Sequence, residues 1–404
     1  MNSRSGFGVV LMVMALALVG CGDGGDGSDD GGESGVCERV GEPIELPHAL
    51  SFEVAAGPNG EFVVVGQGYE SRIWQTHVID ADDTVQTTEG GPGGSPVALA
   101  DGEPVRGFGP GLLLPSTVAL RPWEESAWGE AEGGVAGPPT DASYPRAADI
   151  AVSADGTLAL GWTDSQLTAD GEENTAWVHV AEPGGGLGEA EAALTPDSNL
   201  REAELHLAMT PDGAVHVLGS ALEGDEVRLI HRVRAADGSW QEINDVGPAP
   251  GMRINLEVTG LAAAGDDLFA AEVHPESTFD DTTGAMVVYR WADGAWTKAG
   301  VVRDERPTTW GLDLAAVGPG AVVAAVSYGE NKVPASRRQD SVELHHCTAS
   351  GCSRAVTLAD TPGGFYQTVK LATVGAEGLA VWAQDPRGGE GAPSNMAQRF
   401  RCAP

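Results

Sequence analysis

A unit of roughly 50 residues recurs along this chain, and that recurrence narrows the possible folds more than any other feature. The clearest copy reads HLAMTPDGAVHVLGS (206–220), then VRLIHRVRAADGSWQEI (227–243). Apolar and polar residues alternate on either side of Pro-Asp-Gly and Asp-Gly turns, which argues for strands and against helices. The unit therefore reads as strand, tight turn, strand, longer loop, strand, tight turn, strand. Its first hairpin returns as EVAAGPNGEFVVVG (53–66), DIAVSADGTLALGW (149–162), LAAAGDDLFAAEV (261–273), DLAAVGPGAVVAAV (313–326) and KLATVGAEGLAVW (370–382), with a shorter copy, ALADGEPVRGFG, at 98–109. The second hairpin returns as MVVYRWADGAWTKAG (286–300). That makes seven first hairpins.

A lone four-stranded sheet cannot bury both faces, whereas several packed radially can, and they leave only short edges exposed. The expected fold is therefore all-β: a seven-bladed β-propeller of four-stranded antiparallel blades. The 57 glycines and 25 prolines suit many short strands joined by tight turns. Outside the first twenty residues no stretch keeps a helical period.

The last copy ends at MAQRFRC and lacks a fourth strand. The segment VCERVGEPIEL (36–46) aligns with GCSRAVTL (351–358), so the strand near the N-terminus is expected to complete the last blade. In that alignment Cys402 matches Cys347 and Cys37 matches Cys352. Residues facing each other in an antiparallel ladder lie within disulfide reach, which predicts Cys37–Cys402 and Cys347–Cys352. His345 and His346 beside these cysteines raise the alternative of zinc. Neighbours in a strand face opposite ways, so only one histidine could join, and no metal is assigned.

The units resemble sialidase-like repeats of the BNR type. The resemblance rests on Asp237-Gly238-Ser239-Trp240 and Asp293-Gly294-Ala295-Trp296 before the fourth strand. That family's box spaces its tryptophan one residue further from the glycine, and no Phe-Arg-Ile-Pro motif is present. The resemblance thus implies the fold and not sialidase activity. Trp240 and Trp296 read as fourth-strand packing residues.

Residues 1–20 read as a signal peptide: Arg4, an apolar run from Val9 to Leu18 too short to span a bilayer, then Leu18-Val19-Gly20-Cys21. This order resembles the bacterial lipobox, which implies cleavage before Cys21 and its acylation. The expected partner is then membrane lipid, and the expected location the bacterial cell envelope, at the outer membrane or cell surface in preference to the inner membrane. Residues 21–35 are Gly- and Asp-rich, carry no apolar side chain after the cysteine, and read as a flexible linker ahead of the propeller at 36–404.

The net charge of −36 repels phosphate backbones, so nucleic acid is not an expected partner. No Ser-His-Asp, P-loop or HExxH arrangement is present; no catalytic residue or cofactor is assigned, and a monomer is expected. One position does vary in a telling way. A polar residue precedes an apolar-Ala pair at the head of each innermost strand: Glu53, Asp149, His206, Asp313 and Lys370, with Thr259 taken as the match in the fifth copy. Side chains at one level of the innermost strands would ring a channel mouth. The loops between second and third strands, 164–174, 274–284, 328–340 and 385–395, would open on the same face. One of them carries Lys332, Arg337 and Arg338, the basic cluster of an acidic chain. The expected function is a surface-anchored module that binds or scaffolds a protein or glycan, with a carbohydrate-active hydrolase or lyase as the alternative.

Overall fold

The computed structural model describes most of residues 35–403; residues 1–34 and several loops, the longest being 109–118, 129–142, 247–256 and 329–340, lie outside the described residues. Every described element is a strand. Six four-stranded antiparallel sheets account for most of them, and five are serial, spanning 49–89, 143–194, 200–246, 257–303 and 309–360. Between the first two of these lie four shorter strands, Val97–Ala100, Glu103–Phe108, Ala119–Glu124 and Ala127–Trp128, paired in the same serial order. The terminal sheet runs Phe365–Val374, Glu377–Asp385, Ser394–Cys402 and then Cys37–Leu46, so the strand nearest the N-terminus supplies its outer edge.

The turns follow from their residues. In the first hairpins, Asp155 and Asp212 each accept the backbone N–H two residues on, from Thr157 at 3.1 Å and Ala214 at 3.2 Å. In a second hairpin Asp237 does the same for Ser239 at 2.9 Å. The glycine that follows each aspartate takes a positive φ, as at Gly213 (83°) and Gly238 (86°), which a side chain would strain. These turns set the register of the repeat.

Alternation then splits each strand between two neighbours. In the 309–360 sheet, Val323, Ala325, Val342 and Leu344 pack with Val369, Leu371 and Trp382 of the terminal sheet. Val322, Ala324 and Val326 pack the other way, with Phe269, Ala271 and Val288. Phe52, Phe62 and Ile79 meet Leu379, Val381 and Ala397 of the terminal sheet. Each such side chain stabilises the packed state by about 2 kcal/mol, so the core lies between sheets. The innermost strands lie side by side in chain order, and the first strand of the terminal sheet lies beside Ala49–Ala56 in turn.

Both expected disulfides are present, Cys37–Cys402 and Cys347–Cys352, each between residues that face one another in register. With those thiols bonded, the cysteines beside His345 and His346 offer no thiolate to a metal. His345 is buried and lies 3.2 Å from Glu343, whose carboxylate also meets Arg354 at 3.4 Å. Arg399 of the terminal sheet is buried across the same closure. It donates to Gly60 O (3.0 Å), Ile79 O (3.4 Å), Asp80 O and Asp83 Oδ1 (2.6 Å), and lies over the Phe62 ring.

One expected loop is absent. Residues 164–174 form a continued hairpin, paired from Asp164 with Thr175 out to Thr168 with Gly171. The strands Leu158–Thr168 and Gly171–Ala181 are paired along their whole length. Lys332, Arg337 and Arg338 fall outside the described residues.

Candidate functional site

The polar positions at the heads of the innermost strands occupy one level. Glu53 faces Val65 in its hairpin, Asp149 faces Gly161, His206 faces Leu218, Asp313 faces Ala325 and Lys370 faces Val381. Thr259 does not belong to this level. The ladder slips between Val258 and Gly260, and Gly260, facing Ala271, takes the equivalent place. Gly260 is also the residue that precedes the apolar-Ala pair of this copy, Leu261-Ala262. A Cβ at Gly260 would lie 3.0 Å from the Leu314 nitrogen and 3.4 Å from Asp313 Oδ1, so the ring is narrowest in side chain there.

Three of these side chains, those of Asp149, Asp313 and Lys370, reach along the ring to the next sheet. Asp149 accepts the N–H of Ile150 at 2.8 Å with one oxygen and that of Leu207, in the following sheet, at 2.7 Å with the other. Asp313 repeats the arrangement with Leu314 at 3.0 Å and Leu371 at 2.8 Å. Lys370 reaches the next sheet in the same direction, and its Nζ lies 3.0 Å from Glu53 Oε2, the two side chains retaining 32% and 35% of their exposure. Lys370 and Glu53, from two neighbouring sheets, are thus in direct contact. The two aspartates are joints as well as channel groups: truncating one leaves two strand amides without their acceptor.

The four groups act on one another through their charges. Burial pushes the Asp149 carboxyl up to about 7, against its two backbone hydrogen bonds and the pull of Lys370, with Glu53 adding to the rise. Burial likewise pushes Asp313 up to about 6, opposed first by Lys370. Burial pushes the Lys370 ammonium down, but the charges of Glu53, Asp313 and Asp149 outweigh it and hold the group above its ordinary value. Such a ring holds one permanent ion pair and two carboxyls that exchange protons near neutrality. It offers both donors and acceptors to a ligand.

A second polar cluster, which the alternation pattern did not single out, fills the seam between the 200–246 and 257–303 sheets. Trp296 Nε1 can only donate, so His231 Nδ1 accepts from it at 3.2 Å. His231 Nε2 then carries the proton and donates to His216 Nδ1 at 3.0 Å. His216 Nε2 in turn donates to Thr210 Oγ1 at 3.3 Å, and Thr210 donates to Asp212 at 2.7 Å. Trp291 lies against both imidazoles, its ring centre 5.2 and 5.5 Å from theirs. The chain is satisfied with both histidines neutral. Trp240 likewise packs in its sheet, its indole donating at 2.8 Å to Glu191, which also holds Arg234. The signal for the histidine chain was two histidines and two tryptophans at strand positions facing one seam, which becomes readable only once the register is known.

No family model matches this chain, and no curated protein does. Solved structures do. An ulvan lyase from a new polysaccharide lyase family, bound to -[GlcA(1-4)Rha3S]-, matches with a TM-score of 0.54 at 11% identity, over 91% of this chain and 95% of its own. A sialidase from Trypanosoma rangeli, in complex with 2,3-difluorosialic acid, matches with a TM-score of 0.47 at 11% identity, over 90% of this chain and 60% of its own. A subtype N10 neuraminidase-like protein of A/little yellow-shouldered bat/Guatemala/060/2010 matches with a TM-score of 0.43 at 10% identity, over 91% of this chain and 98% of its own. At such identity the first of these supports the β-propeller fold and nothing about chemistry.

Proposed function

We propose that this chain is a seven-bladed β-propeller, anchored in a bacterial cell envelope through an acylated Cys21, that binds a saccharide at the polar ring of its channel. The blade count adds the short strands of 97–128 to the six sheets, and the cyclic neighbourhood of the innermost strands supports it. The anchor rests on the order of Arg4, apolar run and Cys21, and two disulfides fit an oxidising compartment outside the cytoplasm. Replacing Cys21 by serine is expected to release the protein from membranes or leave its precursor uncut; a processed, membrane-bound Cys21→Ser protein contradicts the anchor.

The observation that carries the binding reading is the convergence of Glu53, Asp149, Asp313 and Lys370. Hydroxyl-rich ligands need closely set donors and acceptors in a concave site. A ring of one ammonium, one carboxylate and two carboxyls that can each donate or accept supplies both. The likeness to a saccharide-bound lyase propeller agrees with this reading. The test is a glycan array probed with the full chain carrying Cys21→Ser. Binding of a saccharide class, weakened at least tenfold by Glu53→Gln with Lys370→Met, is the expected result. An array without hits, or hits indifferent to those substitutions, contradicts it.

One observation favours a second reading, hydrolysis or elimination on the bound saccharide. Asp149 at about 7 has the proton affinity of a general acid at neutral pH. Against it, both oxygens of Asp149 and of Asp313 already accept strand amides. Turnover of an array hit, abolished by Asp149→Asn with binding retained, separates catalysis from binding.

A further inference from the structure

Two joints of the ring, at Asp149 and Asp313, repeat one hydrogen-bonded arrangement, and the joint at Lys370 is built differently. At the first two, the residue after the ring position turns its amide away from the hairpin ladder and gives it to a carboxylate. Asp149 and Asp313 close four such amides, each taking its own neighbour's and the one in the following sheet. Val54 is the equivalent residue of the 49–89 sheet: it faces Val64 as Leu207 faces Val217 and Leu371 faces Ala380. The side chain that reaches toward it from the preceding sheet is Lys370, which ends 3.0 Å from Glu53. Where the Asp149 and Asp313 joints present a carboxylate to the amide, this one carries an ammonium, and the Glu53 carboxylate is drawn to it.

We infer that this joint is a binding site for the carboxylate of a small ligand, held by the Lys370 ammonium and the Val54 amide in the place that the Asp149 and Asp313 side chains occupy at their own joints. The inference rests on the ring being the ligand site, and it names the chemical group the ring accepts. A charge-assisted pair of donors suits a carboxylate better than a neutral amide oxygen. Glu53 competes for the same ammonium, and Asp149 and Asp313 are the other charged groups acting on it. Both aspartates gain protons below about pH 6, which removes negative charge from the ring, so a carboxylate should bind more tightly at pH 5.5 than at pH 8.

The probe is acetate, with acetamide as its neutral counterpart, titrated at low ionic strength into the full chain carrying Cys21→Ser while the Val54 amide resonance is followed by NMR. Acetate is expected to shift that resonance saturably and at least tenfold more tightly than acetamide. Lys370→Met should abolish the response, and Glu53→Gln should strengthen it several-fold. In the Glu53→Gln background, Lys370→Asp should close the amide from within and leave a folded protein blind to acetate. Equal response to acetate and acetamide, a silent Val54 amide, or a Glu53→Gln protein no more responsive than wild type overturns the inference. A protein that binds an array saccharide through the ring yet ignores acetate overturns this inference and leaves the proposed function standing. One that binds acetate at Val54 and no saccharide does the reverse.

Discussion

Replacing Cys37 and Cys402 together by serine is expected to lower the free energy of unfolding by about 4 kcal/mol, against about 2 kcal/mol for Cys347 and Cys352. The difference comes from the loops closed. The first bridge spans 365 residues and the second 5. Loop-closure entropy grows with the logarithm of length, so the chain-entropy model gives about 6 kcal/mol for the first and about 2 kcal/mol for the second, and real bridges fall short of the larger figure. The first bridge also fastens the outer strand of the terminal sheet, where Gln398 donates at 2.8 Å to the backbone of Val40. Arg399 sits on the other side of this closure with its backbone acceptors and the Asp83 carboxylate, so Arg399→Ala should cost about 3 kcal/mol on its own by leaving those buried acceptors unmet. Urea unfolding of the three variants measures this. Equal losses from the two disulfide variants would contradict the account of how the ring is fastened.

Stability is expected to rise from pH 4.5 to about pH 7 and to level off above it. Burial holds the imidazoles of His77 and His216 down at about 4, and burial together with the charge of His216 holds His231 at about 3. Unfolded histidine titrates near 6.5, so as the pH falls below that value the unfolded chain takes up protons that the native chain refuses. The stability these groups contribute is complete above about pH 6.5 and drains away toward pH 4; for His77 alone it is on the order of 3 kcal/mol. The ring aspartates run the other way. Their native values of about 7 and about 6 lie above the unfolded 3.8, so their contribution is complete below about pH 4 and is lost as the pH rises through 6 to 7. Three histidines outweigh two aspartates up to about pH 7, and near pH 7.5 the two effects cancel, so the profile levels off there. Unfolding measured at pH 4.5, 6.5 and 8 tests the sum, and Asp149→Asn should steepen the rise while lowering stability throughout, since an amide oxygen accepts for only part of the lost carboxylate. A wild-type profile that falls between pH 4.5 and 6.5 would contradict these assignments.

What could be read from the sequence is what the turns enforce. Asp155, Asp212 and Asp237 bind the backbone two residues on, and the glycines beside them take the φ that other residues avoid, so hairpin positions were visible as spellings. Cysteine positions were visible because a disulfide across a ladder needs facing residues, and alignment of two copies supplies them. The ring itself was visible because core packing repeats apolar residues and does not vary polar ones. The double role of Asp149 and Asp313 was not, because the amide each one closes belongs to a strand 58 residues further along. Thr259 was a misreading of the pattern itself, since Gly260 is the residue before Leu261-Ala262, and the ladder agrees. The histidine chain was hidden in the same way as the double role of the aspartates. His216 and His231 lie in different strands of a sheet, and their tryptophan partners in another, so nothing short of the register brings them together.

The account turns on four side chains from four sheets acting as one ring, and site-resolved NMR titration of the Asp149 carboxyl tests this most directly. It should titrate at about 7. Since the Lys370 charge favours its ionised form and Glu53 opposes it, Lys370→Met should move the titration higher and Glu53→Gln should move it lower, although Lys370 lies 221 residues away in sequence. An Asp149 that titrates at the ordinary 3.8 and ignores both substitutions would mean that the ring does not exist as described.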